Sequence, residues 1–238
     1  MNVKEKLLMD ADGLREHGAV NIVILGDSVS HGALCGTIDY EHVYWNRLKQ
    51  RLNAWRDYVP VNMICSAISG STAASSLPRL ESQVLKHEPD LVIVCFGLND
   101  VNGTLEEYVN PLREIFKRCQ AVADVVFLTP NMLNTRVADD TPTQHYDYAV
   151  ATARMQNEGR MDAYIDAAKA LAAELNVPVC DGYAAWKQLA KTQDITSLLA
   201  NRINHPTAEM HELFANLLYD YLIGDGTNTA KTESTMFQ

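Results

Sequence analysis

Positive charge is what this chain of 238 residues has least of: 20 lysines and arginines stand against 30 aspartates and glutamates, for a formal net charge of -10. A surface of that sign repels phosphate backbones and anionic lipid headgroups, so neither nucleic acid nor membrane is expected as a partner, and a neutral small molecule suits it better. Cysteine is sparse too. Cys35, Cys65, Cys95, Cys119 and Cys180 are odd in number and form no C-x-x-C pair, which excludes a zinc knuckle or dithiol redox centre. They are expected as reduced thiols of the core, with no disulfide or catalytic role. The N-terminal MNVKEKLLMDADGLREHG lacks the unbroken apolar stretch of a secretory leader, and no later segment suits a membrane span. A cytoplasmic protein is the simplest expectation.

Several nucleotide and hydrolase signatures are also missing. There is no G-x-S-x-G nucleophile elbow, no G-x-G-x-x-G, no Walker A loop, and no His and Asp/Glu spacing that suggests a metal site. Internal repeats and low-complexity tracts are absent. What remains is ordinary globular material: hydrophobic residues at 47% and charged residues at 21% leave ample substance for a core. One domain over residues 1–224 is expected, followed by a flexible tail over 225–238.

Short apolar runs recur, each ending near Gly, Ser, Asn or Pro and followed by a stretch of helical periodicity. The runs are Asn21 to Leu25, Val59 to Cys65, Asp90 to Phe96, Asp124 to Thr129 and Val177 to Cys180. They are rich in Val and Ile without polar alternation, as suits strands buried on both faces of a parallel sheet. Helices are expected over roughly 3–16, 41–55, 72–87, 104–121, 158–175, 182–191 and 207–223. This alternation predicts an α/β fold, a three-layer α/β/α sandwich.

In such a sheet, chemistry gathers where loops leave the carboxyl ends of the strands. Those loops read GDSVSHG, SAISGST, FGLNDVNG and TPNMLNTR. Residues 131–158 make a polar connection too long for a simple link, so they are expected to cover or shape the crevice.

Ser28 follows the first run at a strand-to-loop corner, and a serine nucleophile needs a histidine within reach. Of the seven histidines, His17, His42, His87 and His211 fall in or beside helices, where surface or capping roles are expected. His31 and His145 could line a site without serving as base. His205 stands in Asn204-His205-Pro206 before the last helix, where the proline restrains the loop that presents the imidazole. Gly70 offers close backbone approach and Asn99 an amide donor, as an oxyanion needs. Each alone has an ordinary reading as a turn or cap residue.

Together these positions resemble the SGNH hydrolases, also called GDSL esterases and lipases. The four letters are Ser28, Gly70, Asn99 and His205, set in GDSVS, SAISGST, GLND and NHP and spanning Gly26 to Pro206. The resemblance implies a flavodoxin-like five-stranded sheet, Ser28 as nucleophile and His205 as general base. It also implies an oxyanion hole from the Ser28 and Gly70 N–H groups and the Asn99 amide. No metal or cofactor is required. The substrates it implies are short acyl esters, acetyl first, including those on carbohydrates, on which Tyr146 and Tyr148 could stack. Asp27, His31 and Asn131 are further candidates to line the pocket, although Asp27 and Asp100, which flank motif residues, are expected first to bond loop backbone and hold the site's shape. A long-chain lysophospholipase or thioesterase is the rival among enzymes.

One position departs from the family. Three residues before the histidine an aspartate usually orients the imidazole, and here Arg202 stands there. Arginine only donates hydrogen bonds, so it cannot accept the ring N–H. A backbone carbonyl near Arg202, the Asn201 side-chain oxygen, or a distant acid such as Asp181 or Asp194 could orient the ring, or catalysis is impaired and the protein only binds. A Ser–His dyad held by a neutral acceptor is the favoured expectation, because the correct tautomer needs an acceptor but not a charge.

Overall fold

The computed structural model describes residues 1–56 and 58–224, so the expected tail lies outside the described residues. The five strands are β1 (Val20–Gly26), β2 (Val61–Cys65), β3 (Leu91–Cys95), β4 (Asp124–Leu128) and β5 (Val179–Cys180). They pair in parallel in the order β2-β1-β3-β4-β5, with Ile24 opposite Cys65 on one side and Ile93 on the other. Every residue of central β3 is buried, as expected of a parallel strand covered on both faces. Each strand lies within two residues of its expected place. The fifth is shorter, because the Val177 N–H closes the preceding helix by donating to the Ala172 carbonyl instead of extending the strand.

The helices are α1 (Val3–Leu7), α2 (Ala11–His17), α3 (Ser28–His31), α4 (Tyr44–Trp55), α5 (Ala73–Ser76), α6 (Leu80–Gln83), α7 (Leu105–Gln120), α8 (Tyr146–Asn157), α9 (Arg160–Glu174), α10 (Gly182–Leu189) and α11 (His211–Ile223). They form two groups about the sheet: α11 packs against α4 and α10, while α7 packs against α5 and α9. Helix α7 illustrates why they form. Thr104 and Glu107 make a reciprocal capping box, and Tyr108, Leu112, Ile115, Phe116 and Cys119 recur at helical spacing to give one buried stripe.

Two expected helices are broken. The span 3–16 becomes α1 and α2 because Asp10 accepts the Gly13 N–H and starts a new helix. The span 72–87 becomes α5 and α6 joined by tight turns, since Pro78 has no N–H to continue the first helix. The long connection over 131–158 holds α8.

Two expectations about single residues are corrected. Cys95, Cys119 and Cys180 are buried, but Cys65 is only partly so and Cys35 is exposed. His211 is no surface residue. It is 1% exposed, its ring stacks on Tyr44 at 6.1 Å, and its Nδ1 accepts the Tyr44 N–H. Burial pushes its pKa down to about 3, so it stays neutral while joining α11 to α4.

The chain runs from β1 outward to β2 and then back past β1 to β3. That reversal opens a crevice at the carboxyl ends of β1 and β3, where neighbouring connections leave in opposite directions.

Candidate active site

Ser28 opens α3 at the end of β1, immediately after Gly26 and Asp27. Gly26 is dictated by crowding: a Cβ there would stand 2.4 Å from the Ser30 hydroxyl and 2.9 Å from the Cys95 carbonyl. Asp27 caps α3 by accepting the Val29 N–H at 3.0 Å. This short turn aims the Ser28 hydroxyl into a pocket of about 400 Å³. Ser28 itself is only 4% exposed.

His205 arrives from the far end of the chain. Its Nε2 lies 3.0 Å from the Ser28 Oγ, and its Nδ1 lies 2.7 Å from the Leu34 carbonyl oxygen. A carbonyl can only accept, so Nδ1 carries the proton and Nε2 presents its lone pair to the serine hydroxyl. Burial lowers the His205 pKa below its ordinary 6.5, and the Leu34 bond opposes the shift without overcoming it. The ring is therefore neutral at pH 7, as a general base must be.

The Leu34 carbonyl is held by a tight hairpin turn after α3. The Leu34 N–H donates to the Thr37 carbonyl at 2.9 Å, Ala33 pairs with Ile38, and Gly36 takes φ +75°, a left-handed conformation that glycine adopts without penalty. The His205 loop is braced just as closely. The Asn201 Oδ1 accepts the N–H groups of Ile203, Asn204 and His205, and the buried Asn131 amide donates to the Asn204 carbonyl at 2.9 Å.

The structure thus supplies a neutral acceptor for the imidazole, but from a loop beside the nucleophile and not from the segment around Arg202. Asn201 shapes the loop backbone and not the ring. Asp194 is paired with Arg136, and Asp181 caps α10 and meets Thr129 and Lys169, so neither acid is at the ring. Arg202 turns its guanidinium to Asp140 at 2.9 Å.

Gly70 and Asn99 line the same pocket as Ser28 and His205. Gly70 has φ +80° and nothing within 4 Å of where a Cβ would sit. The Ser28 N–H belongs to the first turn of α3, where backbone donors have no acceptor inside the helix. The Asn99 amide donates to the Ser71 carbonyl at 3.0 Å, which fixes it beside the Gly70 loop. Buried Asp100 fastens the loops together by accepting the Ala73 and Gly97 N–H groups. Burial raises the Asp100 carboxyl to about 6 and the Asp27 carboxyl to about 7, and one Asp27 oxygen has no partner among the described residues.

The three residues expected to line the pocket do not. Asp27 and Asn131 are fully buried beneath it, because their polar atoms hold backbone groups of the loops above. His31 lies beside the pocket, with its ring between Ser69 and Tyr40. The covering segment does reach the pocket, through Pro142, Gln144, His145 and Tyr148, whereas Tyr146 is not among the lining residues. Leu34, Cys35, Gly36 and Ser69 also line it without having been singled out. The glycine at 36, in a loop directly after the nucleophile helix, was the available signal for the turn. Among the described residues no cluster of His, Cys, Asp and Glu could hold a metal, and no helix is long and apolar enough to cross a membrane.

Known proteins resemble this chain in sequence and in fold. The model of the GDSL-like lipase/acylhydrolase family matches residues 24–213. An acetylxylan esterase of Geobacillus stearothermophilus is 25% identical over 168 residues, covering 65% of this chain and 69% of the relative. A crystal structure of an acetylxylan esterase from the same organism superposes with a TM-score of 0.68 at 21% identity, covering 85% of this chain and 94% of that one. An alpha/beta hydrolase enzyme from the metagenome of Lake Arreo, Spain, superposes with a TM-score of 0.69 at 21% identity, covering 87% and 97%. Solved catalytic mutants of the Geobacillus enzyme replace a serine, an aspartate and a histidine, the aspartate three positions before the histidine.

Proposed function

The chain belongs to the GDSL-like lipase/acylhydrolase family and is a carboxylic ester hydrolase; on that footing we propose that it removes short acyl groups, acetyl above all, from carbohydrate esters through an acyl-Ser28 intermediate. The observation that carries this reading is the line from the Ser28 Oγ through the His205 ring to the Leu34 carbonyl, with steps of 3.0 and 2.7 Å.

In the first half-reaction Nε2 of His205 takes the Ser28 proton as Oγ bonds to the ester carbonyl carbon. The carbonyl oxygen becomes negative and accepts hydrogen bonds from the Ser28 N–H, the Gly70 N–H and the Asn99 amide. Such preorganised donors are worth about 10²- to 10³-fold each in turnover. Collapse of this adduct expels the alcohol oxygen, which takes the proton back from Nε2 and leaves acyl-Ser28. Water then gives its proton to the same nitrogen, adds to the acyl carbon, and releases the acid and free serine. The imidazolium formed in each half faces a carbonyl dipole, so it is stabilised less than it would be by a carboxylate.

Substrate size follows from the walls. A pocket of about 400 Å³ lined by Ser69, Gln144, His145 and Asn204 offers polar partners to sugar hydroxyls, with Tyr148 as an apolar face. An acetylated sugar matches that mixture better than a long acyl chain. The name of the acetylxylan esterase relative supports the same substrate class.

The test is hydrolysis of aryl acetate, butyrate and octanoate esters and of acetylated xylo-oligosaccharides by wild type and Ser28→Ala. Turnover that is serine-dependent, greatest on acetyl and sustained on the sugar supports the proposal. A maximum on the octanoate would point to the lipase-like reading instead, and absence of turnover on every ester would overturn both.

A further inference from the structure

We propose that His31 is a positioning residue that ties the nucleophile helix to the oxyanion loop, an inference that rests on the roles assigned above to Ser28 and Gly70. His31 is the last residue of α3, three positions after Ser28, so its backbone moves with the nucleophile. Its Nδ1 lies 2.9 Å from the Ser69 hydroxyl, and Ser69 is the residue whose peptide carries the Gly70 N–H.

That peptide needs a support of this kind. Its flanks are pinned, since the Ile68 N–H donates to the Gly26 carbonyl, the Ser71 N–H closes a turn onto the Ile68 carbonyl at 3.1 Å, and the Ser71 carbonyl accepts from Asn99. Between them Gly70 carries no side chain, adopts φ +80° and has nothing within 4 Å of where a Cβ would sit. The peptide between Ser69 and Gly70 is the central plane of that turn and takes no part in its closing bond, so it can rotate on the flexible glycine, and a donor that rotates does not act as a preorganised one. The Ser69 side chain offers a handle on that plane, and His31 holds it.

The ring is itself gripped from the opposite edge. Its Nε2 lies 3.1 Å from the Tyr40 hydroxyl, and the two rings stand 5.8 Å apart at 56°. Both partners are hydroxyls, which donate or accept by rotating their hydrogen. The bridge therefore persists whichever nitrogen carries the proton, and also when both do.

The experiment measures kcat and KM on an aryl acetate, which has no sugar to bind, for wild type, Ser28→Ala, His31→Ala, His31→Asn, Ser69→Ala and the double variant His31→Ala/Ser69→Ala. Loss of one oxyanion donor costs about 10²- to 10³-fold, so misplacing one is expected to lower kcat about 10-fold in His31→Ala with KM within about 2-fold. Asparagine places an amide nitrogen where Nδ1 stands and is expected to restore most of the rate. The double variant should be no slower than the slower single one, because both changes break the same bond. Losses that multiply, or an unchanged kcat in His31→Ala, overturn the proposal while serine-dependent wild-type turnover leaves the esterase reading intact. A raised KM on acetylated xylo-oligosaccharides with unaffected aryl acetate turnover also overturns it, making His31 a substrate-binding residue. Wild type that turns over no ester defeats the underlying reading and the proposal with it. Should His31→Ala fail to fold, His31→Asn and Ser69→Ala carry the comparison on their own.

Discussion

The acid limb of the rate profile is where the missing aspartate becomes visible. A carboxylate within about 4–6 Å of an imidazole raises its pKa by roughly 1–3 units, so a triad built with one loses activity around neutrality as the base becomes protonated. Here the ring faces a carbonyl, and burial is the larger influence, moving the His205 pKa below 6.5. Since the base works only when unprotonated, kcat/KM should rise with pH to half its plateau below 6.5 and stay level through 8. The gap between the two designs is on the order of tenfold or more in proton concentration at half-maximal rate. The assay is kcat/KM on an aryl acetate between pH 4 and 8 at constant ionic strength. Asp100 and Asp27 titrate in the same window, near 6 and 7. Repeating the profile in Asp27→Asn separates its ionisation from that of His205. A half-maximal rate at or above pH 7 that survives Asp27→Asn would refute the neutral-acceptor account.

Further outcomes follow from the same geometry. The Asp27 carboxyl rises from 3.8 to about 7 on folding, so the folded chain binds the extra proton between those values and loses stability as pH climbs through that window. At about 1.4 kcal/mol per unit this amounts to about 4 kcal/mol, and Asp27→Asn should therefore raise the Tm more at pH 8 than at pH 4; equal gains would contradict it. Gly36 and Gly18 both have positive φ with open space at the Cβ position, at +75° and +79°. Alanine at either costs about 1–3 kcal/mol of strain, seen as a drop in Tm, but only Gly36→Ala should slow turnover, by about 10-fold, because it disturbs the turn that presents the Leu34 carbonyl. Asp181→Asn and Asp194→Asn should each keep kcat within about 3-fold, against the 10³- to 10⁴-fold loss expected at a true triad acid.

Much of this was legible in the chain because the relevant physics is local. Unbroken Val/Ile runs identify strands buried on both faces, and Ser28, Gly70, Asn99 and His205 each carry a recognisable motif around a strand end or loop. The element that orients His205 was not legible, because a backbone carbonyl has no residue identity and Leu34 reads as one more apolar residue. Asp27 takes the backbone-holding role expected of it and not the alternative one of lining the pocket, and Asn131 was misplaced for a related reason. A polar residue next to a motif can as easily hold the loop from beneath as face the substrate, and only their hydrogen bonds to Val29 and Asn204 decide it. His211 deceived because its helix is buried on the side where it lies, against Tyr44 and Phe214. The helix breaks at Asp10 and Pro78 were written in the sequence as a cap and an imino acid, yet periodicity alone ran through both.

The most direct measurement mixes the enzyme with excess aryl acetate, quenches it in acid within the first turnovers, and maps the acyl group by mass spectrometry. One acetyl group on the peptide containing Ser28, absent from Ser28→Ala and formed far more slowly in His205→Ala, is the predicted result. Steady hydrolysis with no acylated peptide, or acetyl carried on Ser30, Ser69 or Cys35 instead, would contradict it.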